Sequence, residues 1–582
     1  MFLPTTSAEL KKLNWDKLDI ILVTGDTYID SPFIGVSVIG NVLADAGFRV
    51  GIIAQPDIHS DIDICRLGEP QLFWGITGGC MDSLVANYTA TRKKRLTDDL
   101  TAGGKNNRRP DRAGVVYSNL IRQYFKNTSP LVLGGVEASL RRIAHYDFWS
   151  DSIRRSILFD ARADILVYGM AEKAILELAQ KLKSGQETKD IRGICYISSA
   201  PQPEYIELPA YEEVVTNKKS FMQMFDTFYR NNDPLTAKGL FQQHGPRYLV
   251  QNPPQPALTV AQLDQVYALN FARDVHPYYR TQGKVRAMET IKFSITTHRG
   301  CFGECNFCSI GLHEGRTIIS RSEKSIIDEA QKITELPDFK GYILDAGGST
   351  ANMYGIDCRR KQTQGACQDK RCLYPQVCAS LRPDHSRQID LLERLRKIKG
   401  VKKVFVASGI RYDLLFSDKK HCASYMQELV KHHISGQLKV APEHTAPGVL
   451  KLMGKPRAKF LTNFKQLFEK MNKASGQKQF LTYYFIAAHP GCTEEDMREL
   501  KSFATRELKI NPQQIQIFTP LPSTYSSLMY FTGIDPATCR KIFVEKNIAK
   551  KQRQKDIITN CRERSRPFPT LKERGKNKSE NR

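Results

Sequence analysis

The sequence predicts an α/β protein: a doubly wound N-terminal domain, a partial (β/α)6 barrel, and a basic C-terminal tail. Three observations predict it. Apolar runs that close on glycine alternate with helix-periodic segments over residues 1–200. The alternation weakens, then resumes at Ile291 with six strand-like runs. Residues 545–582 carry 13 Lys/Arg against 5 Asp/Glu, with few apolar residues to build a core.

The elements follow in order. DIILVTG, residues 19–25, is an apolar run ending in glycine, the pattern of a buried parallel strand. SPFIGVSVIGNVLADAG has helical periodicity and stops at Gly47. FRVGIIAQ, QLFWGITGG and PLVLGGVEAS read as further strands. ADILVYGM leads into AEKAILELAQKLKSG, a helix with apolar residues three and four apart and Gly185 at its end. Strand–helix alternation implies a parallel sheet covered on both faces, placed at residues 1–200. Residues 201–285 read as a linker with some helix, including SFMQMFDTFYRNN, because PQPEY, HGPRY and QNPPQP are proline-punctuated.

Residues 286–535 carry the second alternation. IKFSITTH is its first strand, and SEKSIIDEAQKITEL its first long helix, with Ser322 as N-cap. GYILDAGG, KKVFVASG, GQLKVAPEH, FLTYYFIAAHP and QIQIFTPLP complete six strands, with helices such as IDLLERLRKI between them. Six repeats fall short of the eight of a closed barrel. A cysteine-rich insertion interrupts the barrel at residues 355–385, and residues 536–582 form the basic tail, expected to be disordered.

Bulk properties narrow the function. The chain has 582 residues, 41% hydrophobic, enough for several cores. No apolar run approaches the roughly 20 residues of a membrane span, and MFLPTTSAELKKLNW has no signal-peptide core. A soluble, cytoplasmic protein without a membrane partner is expected. In that reducing setting the 14 cysteines read as metal ligands where clustered and as buried small residues elsewhere. The net charge of +25 favours an anionic partner, with RNA the leading candidate.

The sharpest motif is HRGCFGECNFCSI, His298 to Ile310. Cys301, Cys305 and Cys308 stand in C-x3-C-x2-C spacing, directly after the first barrel strand. Loops after strand C-termini are where such barrels place their chemistry. A structural zinc takes four protein ligands, as does a ferredoxin cluster. Three thiolates on a tetra-iron cluster leave one iron open. Three ligands plus water also describe catalytic zinc, but an all-thiolate set with only Glu304 as a nearby acid argues against a hydrolase. Phe307 would shield the site from water. A second group, Cys358, Cys367, Cys372 and Cys378, is spaced C-x8-C-x4-C-x5-C in a Lys/Arg-rich insertion. Four thiolates there suit either an iron–sulfur cluster or zinc.

This motif after a strand resembles the radical S-adenosylmethionine (SAM) superfamily. The resemblance implies a 4Fe–4S cluster on Cys301, Cys305 and Cys308, with SAM on the open iron. Reductive cleavage then yields methionine and a 5'-deoxyadenosyl radical. DAGGSTANMYG resembles the loop that receives the SAM amino group, with Gly347, Gly348 and Ser349 where Gly-Gly-Glu is common. VFVASGIRYDLL and LKVAPEHTAPGVLKLMGKP resemble later strand ends, which makes Ser408, Arg411 and Glu443 candidate SAM contacts. The N-terminal domain is similar to the cobalamin-binding type of Rossmann domain. The segment Asp57-Ile58-His59-Ser60-Asp61-Ile62 begins like the cobalt-ligand motif but ends in Ile where that motif has Gly, so His59 reads as a loop histidine; the resemblance leaves cobalamin open, since some members of that type bind it without the histidine and others have lost it.

Taken together, TGDTYIDSPFIGVSVIG, the cysteine loop, EGRTIISRS and DAGGSTANMY resemble the YgiQ-type radical-SAM family over nearly the whole chain. The resemblance implies an electron donor such as flavodoxin or ferredoxin, and assigns neither substrate nor catalytic residue. The competing class is a non-catalytic nucleic-acid-binding protein whose metal–cysteine sites are structural staples. An open ligand position beside a glycine loop favours the enzyme.

Overall fold

The computed structural model describes residues 2–368 and 370–559. Its N-terminal half is built on a nine-stranded sheet. Ile20–Thr24 lies parallel between Val50–Ala54 and Phe73–Thr77, followed by Leu131–Gly134 and Ile165–Val167, also parallel. Ile20–Thr24 and Val50–Ala54 are buried at every residue, as expected of strands covered on both faces.

The sheet does not stop at residue 200. Ile194–Ser198 and Arg247–Gln251 continue it antiparallel, then Leu240–His244 and Ile206–Leu208. The linker expected at 201–285 is therefore corrected: three of its segments are strands of this sheet. Its prolines lie at strand boundaries, where no ladder N–H is lost. Pro246 sits in the hairpin between paired His244 and Arg247, and Pro253 and Pro254 follow the last strand. SFMQMFDTFYRNN falls on the helix Lys218–Arg230, whose Phe221, Phe225 and Phe228 are buried.

The second half is an open barrel. Ser294–Thr296 pairs in parallel with Asp345–Gly347, and Tyr342–Ile343 with Lys403–Val404. Gln437–Glu443, Phe480–Ala487 and Gln516–Ile517 form a parallel set of three. Ser322 caps the helix Glu323–Thr334 through the Ser325 amide, 3.2 Å away. The two halves share a core: Phe518, Leu528 and Tyr530 are buried in one cluster with Trp74, Tyr117 and Phe228. Buried Arg299 pairs with buried Glu172 across the same junction.

The tail also differs from expectation. Ile548–Ile558 is a helix, not coil. Gln554 accepts from the Ala488 amide at 2.9 Å and donates to the Cys492 carbonyl at 3.0 Å. Lys551 is buried, donates to Tyr530 Oη at 2.6 Å, and burial pulls its pKa down to about 8. The remaining tail, 560–582, lies outside the described residues. Among the described residues no helix is long and apolar enough to cross a membrane.

Candidate functional site

The cysteine loop leaves the first barrel strand and is held from both sides. Thr297 N–H donates to the Gly347 carbonyl at 2.7 Å, Cys301 N–H to Gly315 at 3.2 Å, and Asn306 N–H to Met453 at 2.9 Å. Cys301 and Cys305 come together around Gly303. A Cβ on Gly303 would sit 3.2 Å from Cys301 Sγ and 3.6 Å from Cys305 Sγ. The missing side chain leaves a cradle between two sulfurs. Burial raises the pKa of Cys301 and Cys308, so neither is a thiolate by itself; a bound metal would have to displace the proton. Phe307 bridges the two cores rather than only covering the loop, with its ring 6.3 Å from that of His489.

Arg411 reaches the loop from the third barrel strand end. Its Nη1 is 3.4 Å from Cys305 Sγ, and Asp413 holds the guanidinium at 2.6 and 3.0 Å. Burial opposes its charge, but Asp413 and Cys305 outweigh that and raise its pKa. Glu443 is buried at the end of the next strand, 3.8 Å from Lys455. Burial raises its pKa, against Lys455 and Arg411. Glu443 has a φ of +67°, and Glu304, Ala488 and Ser523 near other strand ends have φ of +43°, +58° and +59°. Such backbone costs about 1–3 kcal/mol per residue and concentrates at functional sites.

The Gly-Gly-Ser loop stands beside the cysteines. A Cβ on Gly348 would come within 2.8 Å of the His298 ring and carbonyl oxygen. His298 contacts Thr350 O at 3.0 Å, and Thr350 Oγ1 lies 3.5 Å from Cys301 Sγ. Ser349 Oγ donates to Glu314 Oε2 at 2.6 Å, and Gly300 N–H donates to the same oxygen at 3.0 Å. Ser408 does not project a free hydroxyl: it is bonded to Asp345, which also accepts from the Ala407 amide at 2.8 Å. Burial raises the Asp345 pKa against these bonds. Sequence reasoning missed Glu314, Thr350, Asp345 and Asp413 as site members. The signal for Glu314 was its place six residues after Cys308; the others carried none.

The N-terminal sheet ends at this site. A cavity of about 350 Å³ lies at the C-terminal ends of its parallel strands, lined by Thr24, Thr77 and Gly134. Thr296, Arg299 and Glu314 of the barrel close it. His59 is exposed, its amide bonded to Asp57 at 3.1 Å, and it does not line the cavity.

The model for the "Radical SAM N-terminal" family matches residues 2–294. A UPF0313 protein of Fusobacterium nucleatum is 55% identical over 562 residues, 96% of this chain and 99% of its own length. A UPF0313 protein of Thermotoga maritima is 50% identical over 96% of this chain and 98% of its own. The chain belongs to the UPF0313 family of radical-SAM proteins. It is thus a radical-SAM enzyme by membership, and the YgiQ-type resemblance holds. Among solved structures, the radical-SAM methyltransferase TsrM of Kitasatospora setae, with cobalamin and a 4Fe–4S cluster bound, aligns at TM-score 0.51 and 15% identity. The alignment covers 88% of this chain and 74% of TsrM, and shows a shared α/β fold.

The family match encloses the strands between 201 and 285 that the sequence had read as linker. In this UPF0313 protein the second cysteine group also converges. Cys358, Cys367, Cys372 and Cys378 line one small cavity with Arg360, Lys361, Lys370 and Arg371.

Proposed function

We propose that Cys301, Cys305 and Cys308 hold a 4Fe–4S cluster whose open iron binds SAM, and that the barrel mouth presents a substrate to it. The observation that carries this reading is the cradle at Gly303: two thiols face one space that a single methyl group would fill. The donor set fits, because three soft thiolates without a fourth suit an iron–sulfur cluster with one exchangeable position. When bound, the pair supplies one-electron cleavage of SAM and hydrogen-atom abstraction.

The chain's own residues position and shield. Glu314, steadied by Ser349 and Gly300, offers the SAM ammonium a carboxylate where the common motif has Glu in place of Ser349. Asp345 fixes Ser408 at the strand end where the ribose would lie, its carboxylate already accepting the Ser408 hydroxyl. Gly347 and Gly348 let ligand and backbone approach closely. Arg411 donates toward Cys305, and Glu443 closes the far side. The two packed halves together line the cavity beside Glu314.

For substrate we favour RNA. The support is the net charge of +25; in the neighbouring cavity of about 330 Å³ that shares Glu314, Arg299 and Arg316 are already paired with Glu172 and Glu304. RNA affinity should fall steeply with salt, by counterion release.

The test is anaerobic electron paramagnetic resonance of the reduced protein. A 4Fe–4S signal that changes on adding SAM supports the reading. A signal indifferent to SAM would leave the cluster as a structural staple.

A further inference from the structure

Sequence left iron–sulfur and zinc both open for the insertion, and geometry separates them. A tetrahedral zinc draws its thiolates to within about 4 Å of one another, given Zn–S bonds near 2.3 Å. Among the described residues, the one group of three Cys, His or acidic side chains whose ligand atoms all lie within 4.8 Å of one another is Asp384, Asp418 and His421. The sulfurs of Cys358, Cys367, Cys372 and Cys378 surround their cavity at wider spacing. A cubane of four irons needs that spread.

The surroundings fit a polynuclear anion. Arg360, Lys361, Lys370 and Arg371 line the cavity, and cationic neighbours offset the negative charge of a four-thiolate cluster. Each of the four irons would have its own thiolate, so this centre has no open position for substrate.

Its placement gives it a direction. Cys358 and Cys372 are buried and share one apolar cluster with fully buried Phe302, and Cys301 packs against that cluster. Phe302 is the chain neighbour of Cys301. A polar link runs in parallel: Arg371, next to Cys372, donates to the Glu304 carbonyl at 2.8 Å, and Glu304 is next to Cys305. Cys367 and Cys378 are only half-buried, and Arg359, Arg360 and Lys370 are exposed around them.

We propose that the insertion holds a second 4Fe–4S cluster, ligated by Cys358, Cys367, Cys372 and Cys378, that relays electrons from an acidic donor protein to the site at Cys301, Cys305 and Cys308. The relay half of this inference rests on the proposed function above; the cluster half does not. One electron moves at each step. The reduced donor loses it, the second cluster gains it and hands it inward past Phe302, and no bond or proton is exchanged. The basic rim selects an acidic one-electron carrier, of flavodoxin or ferredoxin type, by charge complementarity.

The experiment uses the full chain, reconstituted anaerobically with iron and sulfide. A triple variant, Cys301→Ala with Cys305→Ala and Cys308→Ala, should keep about four irons per chain and a 4Fe–4S Mössbauer and EPR signature that SAM does not alter. A triple variant with zinc there, or with no iron, overturns the second cluster. For the relay, Cys378→Ser perturbs a half-buried ligand with little risk to folding. Its SAM-responsive signal should appear about tenfold or more slowly with reduced flavodoxin, while dithionite should reduce it at the parent rate. Equal rates with flavodoxin overturn the relay. An intact protein whose signals ignore SAM, beside a triple variant that still holds iron, would overturn the first-site reading and support the second cluster.

Discussion

Ser349 donates its hydroxyl hydrogen to Glu314 Oε2 at 2.6 Å, across 35 positions of chain. Under the function proposed above, a Gly-Gly-Ser loop does without its own carboxylate because Glu314, which follows the short helix of the cysteine loop, supplies one. Glu314→Gln should weaken SAM affinity about tenfold to a hundredfold, the effect of losing a charge-assisted hydrogen bond of roughly 1.5–3 kcal/mol. Iron content should not change. The exchange variant, Glu314→Ser with Ser349→Glu, should recover much of the affinity. SAM titration followed by EPR reads both; an unaltered Glu314→Gln titration removes Glu314 from the site.

Gly303 permits a second sharp test. Its φ lies outside the left-handed region, so alanine fits the backbone. The obstacle is space, with Arg411 Nη1 and Cys301 Sγ each 3.2 Å from the added carbon. Gly303→Ala should lose the SAM-responsive signal and about half of the bound iron, the share of one of two four-iron clusters. The thermal midpoint of the metal-free protein should stay close to the parent. Full iron with an intact SAM response would show that the cradle is not where the cluster sits.

What the sequence made legible was local. The glycines at strand ends and the Ser322 cap are set within a few residues, and each appears in the structure as read. What it hid was made by topology. Nothing near Ser349 announces Glu314, and Arg411, read as a SAM contact, gave no sign of its Asp413 clamp or of its approach to Cys305. Proline misled between 201 and 285, because it was counted by density when its position at strand ends and in the His244–Arg247 hairpin was what mattered. Charge misled in the tail. Lys551 and Gln554 look like solvated residues, yet both are buried, one on Tyr530 and the other bonded to Ala488 and Cys492.

Arg411 and Asp413 should behave as a unit. Both are buried, and the guanidinium clamps both carboxylate oxygens. Arg411→Met leaves the Asp413 charge without its partner and should cost about 3–5 kcal/mol of stability in urea unfolding of the metal-free chain. Arg411→Met with Asp413→Leu removes both charges and should recover most of that loss. If the double variant is as unstable as the single one, the pair is not the origin of the effect.

The buried histidines around the barrel mouth lower the stability of the metal-free fold as pH falls. Burial lowers His298 to about 4, His444 to about 4 and His489 to about 3, from 6.5 in an open chain. Each is neutral when folded. As pH falls below 6.5 the unfolded chain takes up protons that the folded chain refuses, so stability falls with pH. The loss runs from about 6.5 down to about 4 for His298 and His444, and further for His489. Asp147, held low against burial by Arg141 and Arg112, loses its contribution only below the ordinary Asp value of 3.8, so its effect comes later. The thermal midpoint should therefore decline between pH 6.5 and 4, before carboxylate protonation. His444→Gln should flatten that decline while lowering stability at pH 8, where the neutral ring accepts the Ala446 amide at 3.0 Å. A flat midpoint across that window in the parent would mean that these histidines exchange protons with solvent in the folded state.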